Sequence, residues 1–327
     1  MDFFTPVELP SGMPRLSQSD ELLLMGSCFA THIGECLTHA KFRTDVNPFG
    51  VLYNPLSISA ALREVVADKV YTEDDLFFFR GCWHSPMHHG DFSASSAPDA
   101  LRHINTRLRA AHARIHRLDC LMLTFGTAWV YEQAGHVVAN CHKQPDTLFT
   151  RRRLSVQEIV ADYTSLLSRL TARNPKLRVL LTVSPIRHVR DGMHANQLSK
   201  AVLLMAVDQL CEAFPGQVFY FPTYEFLLDE LRDYRFYAED MVHPSAQAVG
   251  FVWEKFVQLC LSDEARDIMQ ETERVRKALS HKPFRPDSAE HKHFLEQIVL
   301  KIDRLNQKYP YLDFQNEKEI CLIQLKE

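Results

Sequence analysis

The sequence has no apolar run that approaches the roughly 18 residues needed to cross a bilayer, so we expect no membrane partner. It also has no strong excess of one charge, because 37 basic and 41 acidic side chains give a formal net charge of −4. That balance argues against a general nucleic-acid surface. Residues 1–12 contain no basic patch followed by an apolar segment, so we expect no signal peptide.

The eight cysteines form no CxxC pair and follow no regular spacing. A chain of 327 residues buries enough core to fold without disulfides. We therefore expect most thiols to be reduced and buried, and the protein to be cytoplasmic. Sixteen histidines are scattered along the chain, but no acidic or cysteine partner recurs at ligand spacing. We predict no metal site and no cofactor.

Apolar residues make up 46% of the chain and charged residues 24%, a composition typical of a folded protein with a substantial core. Five apolar runs alternate with helix-length segments, at 21–26, 42–46, 120–126, 177–185 and 217–224. Runs that are apolar at every position indicate strands covered on both faces. We predict an α/β fold over residues 1–262, with a doubly wound, mainly parallel five-stranded sheet between two helical layers. Such sheets bind ligands at the carboxyl ends of their strands.

Two segments depart from this alternation. Residues 69–97 form an insertion rich in aromatic and histidine side chains, which we expect to close over a substrate. From residue 263 to 327 the charge content rises, and the pattern predicts a helical appendage of two helices around a break at 281–288. The sequence leaves open whether this appendage packs on the core or forms a homo-oligomer.

The first candidate reactive group follows the first predicted strand. Gly26 permits a tight turn there, and a helix begins directly after Ser27 and Cys28. The amino terminus of a helix favours an anion, so Cys28 is placed to react as a thiolate. The alternative is that Ser27 only caps the helix and Cys28 is a packed small residue.

The second candidate group lies between the last predicted strand and the helix after Pro244. A residue that precedes proline is disfavoured in a helix, so His243 is predicted to lie on a loop. Asp240, three residues earlier, can fold back onto the imidazole and orient it, as the carboxylate does in a catalytic triad. The alternative is an ordinary helix start with an acidic neighbour. If the site is catalytic, we expect Cys28 Sγ within about 4 Å of the His243 imidazole.

Five sequence blocks together resemble the GSCFA-domain family over roughly residues 1–260: GSCFA (26–30), NPFGVLYNP (47–55), TFGTAWVYE (124–132), TVSPIRH (182–188) and RDYRFYAEDMVHPS (232–245). That family is similar to the SGNH/GDSL hydrolase superfamily, which has a flavodoxin-like sheet. In that superfamily a Gly-Asp-Ser motif follows the first strand and an Asp-x-x-His motif precedes the last helix. The resemblance implies that Cys28 occupies the nucleophile position and that Asp240 and His243 are its partners.

The resemblance implies a hydrolase that acts on an ester or acyl group, such as an acylated carbohydrate or a similar small molecule. The nucleophile would be a thiol, unless Ser27 acts from one position earlier. Because cysteine forms thioesters readily, an acyl- or acetyltransferase that uses the same cysteine is the alternative. A similar cysteine replacement occurs in an SGNH-like acetyltransferase family of capsule polysaccharide synthesis. A non-catalytic binding domain of the same shape is the third hypothesis.

The superfamily's Gly-x-Asn block, whose asparagine helps to form the oxyanion hole, corresponds here to Gly126-Thr127-Ala128, so the amide donor is missing. We expect the backbone N–H groups of Cys28 and Gly50 to replace it, with Thr127 or Asn140 as a third donor.

Substrate contacts are expected from the loops after the strands and from the insertion. The candidates are Asn47, Trp83, His88, His89, Arg187 and His188. Arg187 and Arg190, with Asn196 and Lys200, are expected to border the mouth of the site and to hold an anionic group. A solvated charged surface is the alternative.

Overall fold

The computed structural model describes residues 5–280, 284–285 and 288–326. Within them the strands are β1 (Glu21–Gly26), β2 (Arg43–Val46), β3 (Phe77–Phe79), β4 (Cys82–His84), β5 (Cys120–Phe125), β6 (Trp129–Gln133), β7 (His136–Val138), β8 (Thr150–Arg153), β9 (Arg178–Val183) and β10 (Val218–Tyr220). The helices are α1 (Cys28–His39), α2 (Pro55–Val66), α3 (Ala97–Ile115), α4 (Val156–Arg173), α5 (Met193–Ala213), α6 (Thr223–Glu225), α7 (Ala246–Cys260), α8 (Asp263–Ser280), α9 (Ala289–Lys308) and α10 (Gln315–Lys326). The short α6 continues directly into a π-helical turn, Phe226–Glu230. No helix in these described ranges is both long and apolar enough to span a membrane.

The central sheet has the order β10-β9-β5-β1-β2, and every neighbouring pair of its strands is parallel. Counted along the chain, this is the 2-1-3-4-5 order of flavodoxin-like folds. The predicted α/β class and all five predicted strands are confirmed. The last strand is shorter than the predicted 217–224, because Pro222 follows it and the chain then turns into α6.

The two faces of the sheet are covered by different helices. Leu23 and Met25 of β1 belong to the core shared with α2, α3, α4 and α5. Leu22 and Leu24, which alternate with them, belong to the core shared with α1 and α7. All six residues of β5 are buried, because this strand lies in the middle of the sheet. The continuous apolar runs in the sequence follow from this double covering.

Two small antiparallel sheets accompany the central one. The hairpin β3–β4 lies in the 69–97 insertion, and β6 pairs with both β7 and β8 to form a three-stranded sheet. The three-stranded sheet was not predicted. Its strands are short and mostly half-exposed, and β8 is the charged segment 150–153 (Thr-Arg-Arg-Arg), so no apolar run marks it.

The described residues of the C-terminal appendage form three helices, α8, α9 and α10, where the sequence predicted two. The predicted break at 281–288 lies largely outside the described residues. The appendage packs on the α/β domain: Gln18 Nε2 donates to the Ala265 carbonyl at 2.9 Å, and Lys41 Nζ lies 2.6 Å from Glu317 Oε1. Of the two roles that the sequence left open, packing on the core is therefore present, and self-association stays a prediction.

Candidate functional site

The turn after β1 requires glycine. Gly26 has φ +142°, and a Cβ there would lie 2.2 Å from the Thr124 carbonyl oxygen of the neighbouring strand. The Gly26 N–H donates to Asn47 Oδ1 at 2.9 Å, and Asn47 Nδ2 donates to Thr31 Oγ1 at 3.0 Å. We predicted that Asn47 contacts substrate, but its side chain holds this turn instead. Asn47 lines a groove that is separate from the cavity beside Cys28.

The two adjacent candidate nucleophiles differ in their surroundings. Ser27 is buried at the N-cap of α1, where its Oγ accepts the Phe29 N–H at 3.4 Å. Cys28 is the first residue of α1 and is half-buried, and its Sγ lies 4.0 Å from Tyr53 Oη. The capping role of Ser27 is therefore observed, and it does not engage the Cys28 thiol, whose reactivity stays a prediction.

Asp240 folds back onto His243, as the spacing suggested. Asp240 Oδ2 lies 2.5 Å from His243 Nδ1, and Oδ1 accepts the backbone N–H groups of Val242 and His243, each at 3.0 Å. These hydrogen bonds lower the pKa of Asp240 to about 2, and the one from the His243 N–H contributes most. The carboxylate is therefore ionised at neutral pH and fixes both the loop and the orientation of the imidazole.

A cavity of about 660 Å³ opens where β1, β5 and β9 end. Its lining includes Ser27, Cys28, Tyr53, His89, Thr127, Asn140, Arg187, His188 and His243. Cys28 and His243 thus share one cavity although 215 positions separate them in the chain (243 − 28). Among the described residues no hydrogen bond joins these two side chains, so their expected close contact stays a prediction; such contacts are often long before substrate binds.

Two residues expected at the mouth lie beneath the cavity instead. Lys200 is 1% exposed and donates to the carbonyl oxygens of Gly126 at 2.6 Å and Ser184 at 2.5 Å. Its burial lowers the pKa of Lys200 to about 7, with the charge of Arg187 adding to the effect. Asn196 is also fully buried, and its Oδ1 accepts the His188 N–H at 3.0 Å. Both residues position the loops after β5 and β9, which corrects their expected role at the surface.

The loop after β9 carries Arg187 and His188 into the cavity. The Arg187 N–H donates to the Val242 carbonyl at 3.4 Å, which connects this loop to the one that bears His243. Burial lowers the pKa of His188 to about 4, with a further contribution from the charge of Lys200. His188 is therefore neutral at pH 7, and its ring meets Tyr53 edge to face at 6.1 Å between centroids.

Of the three insertion residues expected to contact substrate, His89 is the one that lines the cavity. His88 is fully buried, stacked on Phe49 at 4.4 Å, and its Nδ1 lies 2.9 Å from Ser85 Oγ. Trp83 lies in the β3–β4 hairpin, outside the cavity lining. The predictions for His88 and Trp83 are therefore corrected: His88 packs against Phe49 and Tyr71, and Trp83 packs against Phe78 of its own hairpin.

Two of the four predicted oxyanion donors are already engaged. The Gly50 N–H donates to the Asn47 carbonyl at 2.8 Å, and Gly50 lies on the separate groove, so its predicted role is corrected. Thr127 Oγ1 lies 3.1 Å from Ser199 Oγ and accepts the Trp129 N–H at 3.1 Å.

Two predicted donors remain. Asn140 lines the cavity, and its Oδ1 accepts the His142 N–H at 2.8 Å, while its NH₂ group has no acceptor among the described residues. The Cys28 N–H, in the first turn of α1, has no acceptor in the part of the chain that the structure describes.

A family model described as the GSCFA family matches residues 21–256, which span the central sheet, the Gly26 turn and the Asp240–His243 loop. The chain belongs to the GSCFA family. A second model, described as the C-terminal domain of GSCFA domain proteins, matches residues 272–327. A comparison with curated proteins finds no match.

Sequence reasoning missed three aromatic residues of this GSCFA protein that line the cavity, namely Tyr53, Trp129 and Tyr131. Tyr53 had a signal, because it follows β2 at the carboxyl edge of the sheet within the NPFGVLYNP block. Trp129 and Tyr131 lie on β6, in the sheet that the sequence did not reveal. In the described ranges of the GSCFA chain, no group of three or more His, Cys, Asp or Glu residues is placed to hold a metal ion.

Proposed function

We propose that this GSCFA protein is an SGNH-like hydrolase that acts on an ester or acyl group through Cys28, His243 and Asp240. The observation that carries the proposal is that Cys28 and His243, whose imidazole is oriented by Asp240, line one cavity. The order of these residues along the chain also corresponds to that of the SGNH superfamily. A pocket of this volume is in the range used for small molecules.

The proposed reaction begins with the Cys28 thiol, which loses its proton to His243 and attacks the acyl carbonyl carbon. Cys28 is the first residue of α1, so the unpaired N–H groups of the first helical turn lie beside it. The tetrahedral intermediate collapses to a thioester as the alcohol leaves with the proton from His243. Water then attacks the thioester with His243 as the general base, which releases the acid and restores the thiol. Asp240 holds the imidazole and stabilises the imidazolium.

Acyl transfer is the alternative activity, and it uses the same thioester. In that case the hydroxyl group of an acceptor replaces water in the second step. The thiol nucleophile favours this alternative, since thioesters are competent acyl donors. A third reading, a binding domain without catalysis, is favoured by the missing Gly-x-Asn asparagine and by the absence, in the described chain, of a Cys28–His243 hydrogen bond.

The charges of the cavity lining favour a substrate that carries a negative group. Arg151 pairs with Asp191, and Arg190 Nη2 lies 3.1 Å from Asp146 Oδ2. Arg187, by contrast, pairs with no carboxylate in the described part of the chain, and its Nη1 donates to the neutral amide of Gln197 at 3.2 Å. Arg187 therefore remains available to an anionic group of the acylated molecule.

The test of this substrate class compares acetyl esters that bear a carboxylate with matched esters in which a neutral amide replaces it. We expect the protein to prefer the anionic ester in kcat/KM, and Arg187→Gln to remove that preference through KM. Arg190→Gln is the control and should retain the preference, because Asp146 already pairs with that guanidinium. Equal use of both esters by the unaltered protein would contradict the proposal.

The test of the activity itself is a panel of acyl esters assayed with and without sugar acceptors or acyl-CoA. Turnover that needs no acceptor supports hydrolysis, and turnover that requires one supports transfer. A thiol-reactive probe at neutral pH separates both from a binding domain. Selective labelling of Cys28 that is lost in His243→Ala supports catalysis, and equal labelling of Cys28 and Cys36, another half-buried cysteine of α1, contradicts it.

A further inference from the structure

The main chain of Tyr53 engages the backbone N–H groups of Gly126 and Thr127, which stand at the position of the superfamily's Gly-x-Asn block. The Tyr53 carbonyl accepts the Gly126 N–H at 2.8 Å and the Thr127 N–H at 3.0 Å. The Gly50 N–H is also engaged, by Asn47. Among the backbone donors considered for this site, the Cys28 N–H is therefore the one without an acceptor in the described residues. Together with the Asn140 NH₂ group, it is what remains of the predicted donors for the negative charge of a tetrahedral intermediate, and a further donor beside Cys28 would add to that support.

The side chain of Tyr53 faces the candidate nucleophile. Its Oη lies 4.0 Å from Cys28 Sγ, and its ring lines the cavity with 38% of the residue's surface exposed. The ring meets His188 edge to face, and the Tyr53 backbone is fixed by the two hydrogen bonds that its carbonyl accepts. A hydroxyl on a restrained ring next to the reacting atom is placed to donate at little entropic cost.

The hydroxyl of Tyr53 stays protonated over the whole working range of pH. Burial raises the pKa of Tyr53 to about 12, and the neighbouring Cys28 adds to the effect. A protonated phenol can donate one hydrogen bond, which is the function that the missing asparagine amide would otherwise supply.

We infer that Tyr53 is a catalytic residue whose hydroxyl donates a hydrogen bond to the oxyanion formed when Cys28 attacks an acyl group. The inference rests on the proposed function. The 4.0 Å between Oη and Sγ leaves room for an oxygen on the carbon bonded to Sγ, within the about 2.7–3.1 Å of the donor that such stabilisation requires. The proton stays on Tyr53 throughout, and no bond to the phenol is made or broken.

Two reactions of the same thiol distinguish this role from a general effect on Cys28. Acylation by p-nitrophenyl acetate passes through a tetrahedral oxyanion, whereas alkylation by iodoacetamide is a direct displacement at carbon and forms none. In Tyr53→Phe we expect the rate of Cys28 acylation to fall about 10- to 10³-fold, and the rate of alkylation to stay unchanged. Tyr131→Phe is the matched control, since Tyr131 lines the same cavity and has no hydrogen bond with Cys28 in the described structure.

The remaining outcomes overturn the inference in distinguishable ways. Equal slowing of acylation and alkylation in Tyr53→Phe would mean that Tyr53 acts on the thiol itself. An unchanged acylation rate would mean that the hydroxyl has no role. Failure of the unaltered protein to be acylated at Cys28, with alkylation intact, would refute the proposed function and this inference with it.

Discussion

Acidification should destabilise the protein through His88, which the fold buries in its neutral form. The ring is fully buried between Phe49 at 4.4 Å and Tyr71 at 4.9 Å. Burial lowers the pKa of His88 to about 3, with smaller contributions from Lys69 and His142. In the unfolded chain the pKa returns to about 6.5.

The sign of the effect follows from proton binding. Between pH 6.5 and pH 3 the unfolded chain holds a proton on His88 and the folded protein does not, so the free energy of unfolding falls as the pH is lowered. In the middle of this range, the free energy of unfolding falls by about 1.4 kcal/mol for each unit by which the pH is lowered. Lowering the pH from 7 to 5 should therefore cost about 2 kcal/mol through His88 alone.

The assay is urea unfolding followed by circular dichroism at pH 7 and pH 5. His88→Phe keeps an aromatic ring against Phe49 but cannot be protonated, so the loss of stability between the two pH values should be about 2 kcal/mol smaller than in the unaltered protein. His103→Gln, at an exposed position of α3, is the control and should keep the full loss. An undiminished pH dependence in His88→Phe would refute the reasoning.

Three further outcomes test the site. Cys28→Ala should abolish turnover, while Ser27→Ala leaves a measurable rate, because Ser27 Oγ serves the helix cap; the reverse ranking would move the nucleophile to Ser27. His243→Ala should lower kcat about 10³-fold or more, and Asp240→Asn about 10- to 100-fold, since a thiol needs less help from the carboxylate than a hydroxyl. Equal losses in the two folded variants would indicate that no thiolate is pre-formed. Gly26→Ala should lower the thermal midpoint, because its Cβ would clash with a strand carbonyl; an unchanged midpoint would show that the turn can relax.

The central sheet could be predicted because each of its strands is covered on both faces, and the sequence records this as continuous apolar runs. The sheet that contains β6 could not, since its short strands are mostly half-buried or exposed and β8 consists mostly of arginine. The third C-terminal helix, α10, was missed for a related reason: it buries little besides Cys321, so its apolar periodicity is weak.

The site was predictable where local spacing determines the geometry. A spacing of three positions suffices to bring Asp240 onto His243, and the glycine turn places Cys28 at the start of α1. The predictions for Gly50 and His88 failed because they depend on tertiary contacts. The sequence cannot show that the Gly50 N–H is taken by a neighbouring carbonyl, or that an insertion histidine stacks in a core. Tyr53 was missed for the same reason, since its proximity to Cys28 arises only when β1 and β2 pair.

The most direct test of the account is to find the acyl group on the protein. The unaltered protein is mixed with p-nitrophenyl acetate at neutral pH, quenched in acid, and examined by intact mass and peptide mapping, with and without neutral hydroxylamine. We predict one acetyl group on Cys28 that hydroxylamine removes, as expected of a thioester, and no such adduct in Cys28→Ala. An acetyl group on Ser27 that resists hydroxylamine, or equal acetylation of the other accessible cysteines, would contradict the claim that Cys28 is the nucleophile.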